Sequence, residues 1–244
     1  MCRMMAVARS STPTLRHLAA RFRVEAHQGR VGAGMAPGHR DGWGIVVAGR
    51  EGDLQYAGRS TRDAGEDAEY PRAVGRVAGA TMLVHFRKAT AGAHSVENSH
   101  PFIAGGLAFA HNGTAFDIVP DGESDSRELF ARLLAERRKG ASVEDALAAM
   151  ARSVPEPQYS SLTTLVTDGA SVWGLRRIGT HPKYCTPEMC APDYYTLGYA
   201  TLADGSVVVS QEHELLGIEG WSPVREGDII TVTPDGRVAT RRAW

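Results

Sequence analysis

A cysteine stands at position 2, directly behind Met1. A small residue there permits removal of Met1, which would leave Cys2 with its thiol and its own α-amine on one residue. The ordinary pKa of an α-amine is about 7.7–8.0, so at neutral pH part of it is free to act as a base. A nucleophile with an adjacent base is the general arrangement for acyl transfer through a covalent intermediate. Alone the signal is weak, because thiol reactivity follows microenvironment and most second-position cysteines are inert.

Several further stretches carry chemistry-capable side chains. Asp41-Gly42-Trp43-Gly44 places two glycines around a tryptophan, which lets the backbone turn tightly; the plain reading is a loop entering a strand with Trp43 in the core. His85-Phe86-Arg87-Lys88-Ala89-Thr90-Ala91-Gly92 closes a strand. Arg87 there could grip a carboxylate with its planar fork, although a lone arginine is more often a surface ion pair. His85 alternates with Arg87 on one face and reads as a hydrogen-bonded strand histidine. Asn98-Ser99-His100-Pro101-Phe102 and His111-Asn112-Gly113-Thr114 flank another strand. Asn112-Gly113 suits a tight hairpin turn, and equally an oxyanion site with an amide donor beside an unobstructed N–H. In Glu123-Ser124-Asp125-Ser126, Asp125 is either a helix N-cap or a carboxylate that binds a substrate ammonium.

The set is more specific than its members. In this order, Cys2, 41–44, 85–92, 98–102, 111–113 and Ser124-Asp125 resemble the class II glutamine amidotransferases, N-terminal-nucleophile hydrolases, and most of all their stand-alone branch. The motif-bearing resemblance covers about residues 2–130. It implies a four-layer αββα sandwich of two mostly antiparallel sheets. It also implies roles: Cys2 as nucleophile with its freed amine as base, Asn112 and Gly113 as the oxyanion hole, Arg87 for the α-carboxylate of glutamine with Thr90 near it, and Asp125 for the α-ammonium. Trp43, Gly44 and His100 match positions lining or supporting the pocket. Arg87 and Asp125 would neutralise the two ends of a zwitterion and so direct its amide at Cys2.

The chain departs from that pattern in places. Lys88 stands where the aminosugar-forming branch has tryptophan, and Arg127 replaces the acid that commonly follows Ser-Asp-Ser. With 244 residues, no room is expected for the acceptor domain of the large synthases. The expectation is then a separate acceptor subunit for the ammonia, or simple hydrolysis of glutamine or a γ-glutamyl amide, as in stand-alone relatives of ergothioneine synthesis or glutathione breakdown. The competing reading is a non-catalytic relative that binds a γ-glutamyl ligand or a partner protein. His181, Cys185 and Cys190 form a His-x3-Cys-x4-Cys cluster, but the spacing is no standard zinc pair and no fourth ligand is evident. A disulfide or two free thiols is the preferred reading, and no metal or cofactor is expected.

These residues need elements to hold them. Short apolar runs at 43–48, 81–86, 106–111, 162–167, 195–201, 206–210 and 228–233 predict strands. Asp168-Gly169 predicts a hairpin into 171–175, and Pro234-Asp235-Gly236 a turn into 237–241. The N-terminal 23 residues carry Arg3, Arg9, Arg16, Arg21 and Arg23 with no acid before Glu25, but no apolar signal-peptide region follows. They read as a strand over 4–8 and a helix burying Leu15, Leu18, Ala19 and Phe22. Two helices are predicted in the middle. One begins near Asp125 with Glu128 as capping-box partner, buries Leu129, Phe130, Leu133 and Leu134, and stops at Gly140. The other begins at Ser142 and buries Val143, Ala146, Leu147 and Met150. Strands in runs with grouped helices predict an α+β fold, and nothing in the composition marks a boundary, so residues 1–244 read as one domain. Lys+Arg of 27 against Asp+Glu of 28 argues against a nucleic-acid partner. No apolar run of membrane-spanning length occurs, and three cysteines suit a reducing, cytoplasmic setting. A small-molecule substrate is the expected partner, and a homo-oligomer is left open.

Overall fold

The structure, a computed structural model, describes residues 2–31, 36–49, 52–90, 92–120, 123–181 and 194–244. In chain order the strands are β1 (Arg3–Ala8), β2 (Trp43–Ala48), β3 (Leu54–Ser60), β4 (Thr81–Phe86), β5 (Phe102–Ala104), β6 (Leu107–Asn112), β7 (Thr163–Thr167), β8 (Val172–Leu175), β9 (Gly198–Thr201), β10 (Val207–Ser210), β11 (Ser222–Pro223), β12 (Asp228–Val232) and β13 (Val238–Arg242). The helices are α1 (Thr12–Phe22), α2 (Glu25–Gln28), α3 (Glu69–Arg76), α4 (Asp125–Arg138) and α5 (Val143–Arg152).

Two antiparallel sheets result, in the orders β11-β9-β10-β1-β4-β2-β3 and β13-β12-β8-β7-β6-β5. The period-2 alternation of strand side chains explains how they stack. Met5 and Val7 of β1 pack outward with Leu15, Leu18, Ala19 and Phe22 of α1 and with Tyr70 and Ala73 of α3. Met4, Ala6 and Ala8 point the other way, against Ala108, Ala110, Leu165 and Ile230 of the second sheet. Phe109, Val166 and Leu175 then leave the second sheet on its far side and meet α4 and α5. The expected αββα layering is therefore present. β1 and β4 lie inside it with both faces covered, so all six residues of each are buried, the polar Arg3, Thr81 and His85 included.

Local chemistry sets the helix starts. Ser11 accepts the Thr14 N–H at 3.3 Å at the start of α1, and Ser142 accepts the Asp145 N–H at 3.0 Å at the start of α5. Two sequence expectations change here. Asp125 is not the N-cap of α4 but its first helical residue; Ser124 holds the cap position. Asn112-Gly113 is not a hairpin turn either. Asn112 ends β6 opposite Thr163 of β7, and the chain between them runs through α4 and α5.

Candidate active site

Strand register assembles one end of the first sheet. Arg3 of β1 pairs with Phe86 of β4, so Cys2 lies level with Arg87. Trp43 of β2 also pairs with Phe86, and the Arg87 N–H donates to Gly42 O at 2.8 Å. Asp41 clamps the same stretch, accepting the Ala89 N–H at 2.8 Å through Oδ2. On the other side of β1, β10 ends at Ser210, and the following Gln211 N–H donates to Met4 O at 3.2 Å. The second sheet contributes the end of β6, which brings Asn112 to Cys2.

Cys2 is buried. Its nitrogen donates to Asn112 Oδ1 at 2.8 Å. Its Sγ accepts the Lys88 N–H at 3.5 Å and faces Lys88 O at 3.7 Å. Burial pushes the thiol pKa up, while the Lys88 N–H and the Arg87 charge pull it back. A thiol held neutral in this way needs a local base to become a nucleophile. Position 88 serves Cys2 through its backbone, so the site tolerates lysine there, and the Lys88 ammonium reaches away to Ala36 O at 3.2 Å.

A pocket of about 310 Å³, its mouth included, opens on Cys2; Arg87, Thr90, His100, Gly113 and Asp125 line it. The Arg87 guanidinium is steadied by Ala93 O at 3.2 Å and Gly92 O at 3.4 Å. Asp125 Oδ2 accepts the Ala115 N–H at 2.7 Å and Oδ1 the Ser126 N–H at 2.8 Å, so this carboxylate ties the segment after Gly113 to the start of α4. Thr90 and Thr114 share a 2.7 Å hydroxyl bond across the pocket wall. Gly113 has φ +152°, and a Cβ there would fall 1.9 Å from Ser161 O, so the backbone passes the Ser161 carbonyl as closely as only glycine allows.

Three imidazoles back the pocket. His100 Nδ1 meets His85 Nε2 at 3.1 Å; His111 Nε2 donates to Ser161 O at 3.1 Å and its Nδ1 accepts from Ser126 Oγ at 2.9 Å. Burial depresses all three, His85 to about 3, so they stay uncharged at neutral pH. The wall they make is polar but neutral, and Arg87 and Asp125, one basic and one acidic side chain, line the same pocket.

Trp43 and Gly44 lie apart from the lining described above. Trp43 is core: its ring meets Tyr70 edge-on at 5.0 Å and its Nε1 donates to Asp67 at 3.1 Å. Gly44 is a support, since a Cβ on it would stand 2.2 Å from His100 O. Arg127 donates from Nε to Asn98 Oδ1 at 3.0 Å and lies over the Phe102 ring at 4.6 Å. His181 packs on Phe116 at 4.0 Å, and Cys185 and Cys190 fall outside the described residues.

Residues behind Cys2 escaped the sequence reading. Gln211 Oε1 accepts Asn112 Nδ2 at 3.0 Å. Arg3, fully buried, donates to Cys2 O at 2.9 Å and to the carboxylate of Glu212. The signal available was a charged residue opening an apolar strand, and a Ser-Gln-Glu run closing another.

A family model described as class-II glutamine amidotransferases matches residues 1–241. Among solved structures, the chain is similar to a glutamine phosphoribosylpyrophosphate amidotransferase from B. subtilis complexed with ADP and GMP. The TM-score is 0.67 and the identity 15%, over the whole chain and 49% of that one. It is also similar over the full length of both chains to a glutamine aminotransferase class-II domain protein from Silicibacter pomeroyi, with a TM-score of 0.61 and 18% identity. Among curated proteins, an uncharacterized protein of Methanocaldococcus jannaschii is 39% identical over 70 residues, 24% of this chain. The chain thus spans about half of the first of these structures and 20% of the curated relative.

Proposed function

The chain belongs to the class-II glutamine amidotransferases, and on that premise we propose that it is an amidohydrolase with Cys2 as nucleophile, acting on glutamine or a γ-glutamyl compound. The observation that carries this reading is the meeting of Cys2, Arg87 and Asp125 at one pocket, with Asn112 bonded to the Cys2 nitrogen at 2.8 Å.

Removal of Met1 turns that nitrogen into an α-amine. The amine takes the thiol proton, and Sγ attacks the side-chain carbonyl carbon of a substrate whose α-carboxylate lies on Arg87 and α-ammonium on Asp125. The tetrahedral oxyanion receives the Gly113 N–H and the second N–H of the Asn112 amide. Collapse breaks the C–N bond; the proton held by the amine leaves with ammonia or an amine, and a γ-glutamyl thioester stays on Cys2. Water, deprotonated by the same amine, releases glutamate and restores the thiol. Residues 1–244 are proposed as one glutamine amidotransferase type-2 domain, with any ammonia acceptor on a separate subunit.

Intact-mass measurement and ammonia release from glutamine and a γ-glutamyl panel test this. The expected results are a chain lacking Met1, turnover by that chain, and none by a folded Cys2→Ala variant. A retained Met1 favours the non-catalytic reading, and full turnover by Cys2→Ala ends the nucleophile assignment.

A further inference from the structure

Gln211 is in neither the sequence motifs nor the pocket lining described above. It sits just past β10, 1% exposed, with its backbone held to Met4 O at 3.2 Å. Its Oε1 accepts Asn112 Nδ2 at 3.0 Å, and Asn112 Oδ1 in turn accepts the Cys2 nitrogen at 2.8 Å. Three groups therefore form a buried chain with one direction, from the Cys2 N–H to Asn112 and from Asn112 to Gln211.

That direction has an alternative, which the structure does not adopt. Turning both amides over would let Gln211 Nε2 donate to Asn112 Oδ1. It would also point Asn112 Nδ2 at the Cys2 nitrogen, donor against donor as soon as the amine is charged. In the observed arrangement Gln211 Nε2 is buried and has no partner among the described residues. Leaving a buried donor unmade is unfavourable, and what the molecule retains in exchange is an oxygen facing the Cys2 nitrogen.

We infer that Gln211 is a positioning residue that acts through Asn112, locking the Asn112 amide with its oxygen on the nucleophile's α-amine. The inference rests on the proposed role of Cys2. When the amine takes the thiol proton it becomes an ammonium beside a thiolate. An oxygen fixed opposite that ammonium stabilises it by a charge-assisted bond, and the ammonium in turn stabilises the thiolate. The lock also commits one Asn112 N–H to Gln211 and leaves the other for the oxyanion. The titratable and charged groups around Cys2 among the described residues are Arg3 and Glu212 behind it with Glu25 beside them, Arg87, Lys88 and Asp125 at the pocket, the imidazoles of His85, His100 and His111 that back it, and Tyr194 and Tyr195. Substituting Gln211 leaves all of them in place.

The test compares the processed wild type with Gln211→Met, which keeps size and removes the acceptor, and Gln211→Glu, which keeps an oxygen there. The rate of Cys2 alkylation by iodoacetamide is followed against pH by mass spectrometry of the N-terminal peptide, with thermal melting alongside. In Gln211→Met the alkylation midpoint should move to higher pH, and Gln211→Glu should bring it back. Where the wild type hydrolyses glutamine, kcat of Gln211→Met should fall about tenfold or more, with KM little changed. Gln211→Leu supplies the same comparison if the Met variant melts below the assay temperature. Equal midpoints in wild type and the Met or Leu variant overturn the inference. So does a shift that Glu does not reverse, because packing alone would then account for it. Alkylation needs no substrate, so a chain that shows the shift but releases no ammonia would count against the amidohydrolase reading and leave the lock standing.

Discussion

At the scale of single residues, Asn112 has most to reveal. It ends a strand, so Asn112→Asp meets no turn requirement and should fold. Its oxygens can still accept the Cys2 nitrogen, but it cannot donate to an oxyanion or to Gln211. The expected result is a fall in kcat of about 10²–10³ with KM little changed, read by steady-state kinetics beside thermal melting. A near-wild-type kcat would remove Asn112 from the chemistry. Asp125 is a different case because its carboxylate also accepts two backbone N–H groups. Asp125→Asn keeps the shape and one acceptor while losing the charge. It should lower kcat/KM for glutamine about tenfold or more, since a hydrogen bond to a charged group contributes about 1.5–3 kcal/mol. An analogue without the α-amine should be affected much less. Equal losses on both compounds would mean that Asp125 only ties Ala115 to α4.

Among the elements, β2 shows how a strand can shape the pocket without lining it. Gly44 carries no side chain because the His100 carbonyl lies where a Cβ would go. Gly44→Ala should push the segment of residues 100–101 away from β2 and carry the His100 ring with it. Overpacking of this kind costs about 1–3 kcal/mol, so a lower melting temperature is expected together with reduced turnover. Loss of stability with unchanged kinetics would show that His100 is not part of the working wall. The elements missed by pattern are the ones with weak patterns. β3 is half-exposed along most of its length, β5 has three residues, and α3 contains Pro71 and Gly75. Pro71 lies in the first turn of α3, where no intrahelical N–H is needed, so a residue that signals a break is here compatible with a helix.

For the molecule as a whole, the consequence of bringing distant segments together is clearest at Glu25. This carboxyl at the start of α2 is buried near Arg3 and Glu212. Burial and the Glu212 charge raise its pKa to about 9 from the ordinary 4.5. The folded chain therefore keeps a proton that the unfolded chain loses. The resulting stabilisation is present at acid pH and is lost as pH climbs from about 4.5 towards about 9. Glu25→Gln, neutral at every pH, should gain on the wild type across that window. The difference in melting temperature between the two should widen with pH. A difference that stays constant would show that Glu25 is ionised in the fold.

The sequence by itself determined the elements whose apolar period is clean, and the family to which the motif residues point. β2 and β4 begin and end where the apolar runs predict, α1 buries the four residues its spacing selects, and the motif order points to the family that the whole-chain match shows. Those properties are local: a side chain's type and its phase on a strand or helix can be read in a window of a few residues. Only the tertiary structure decided between the core and the pocket readings of Trp43, which packs beside Tyr70, and showed that Asn112 turns its oxygen to Cys2 and that Gln211, Arg3 and Glu212 stand behind Cys2. Each of those facts depends on strand order and register across two sheets. Cys2 and Asn112 are 110 residues apart and Asn112 and Gln211 are 99 apart. A hydrogen bond between such partners is fixed by where β1, β6 and β10 end in space, and no pattern along the chain encodes that.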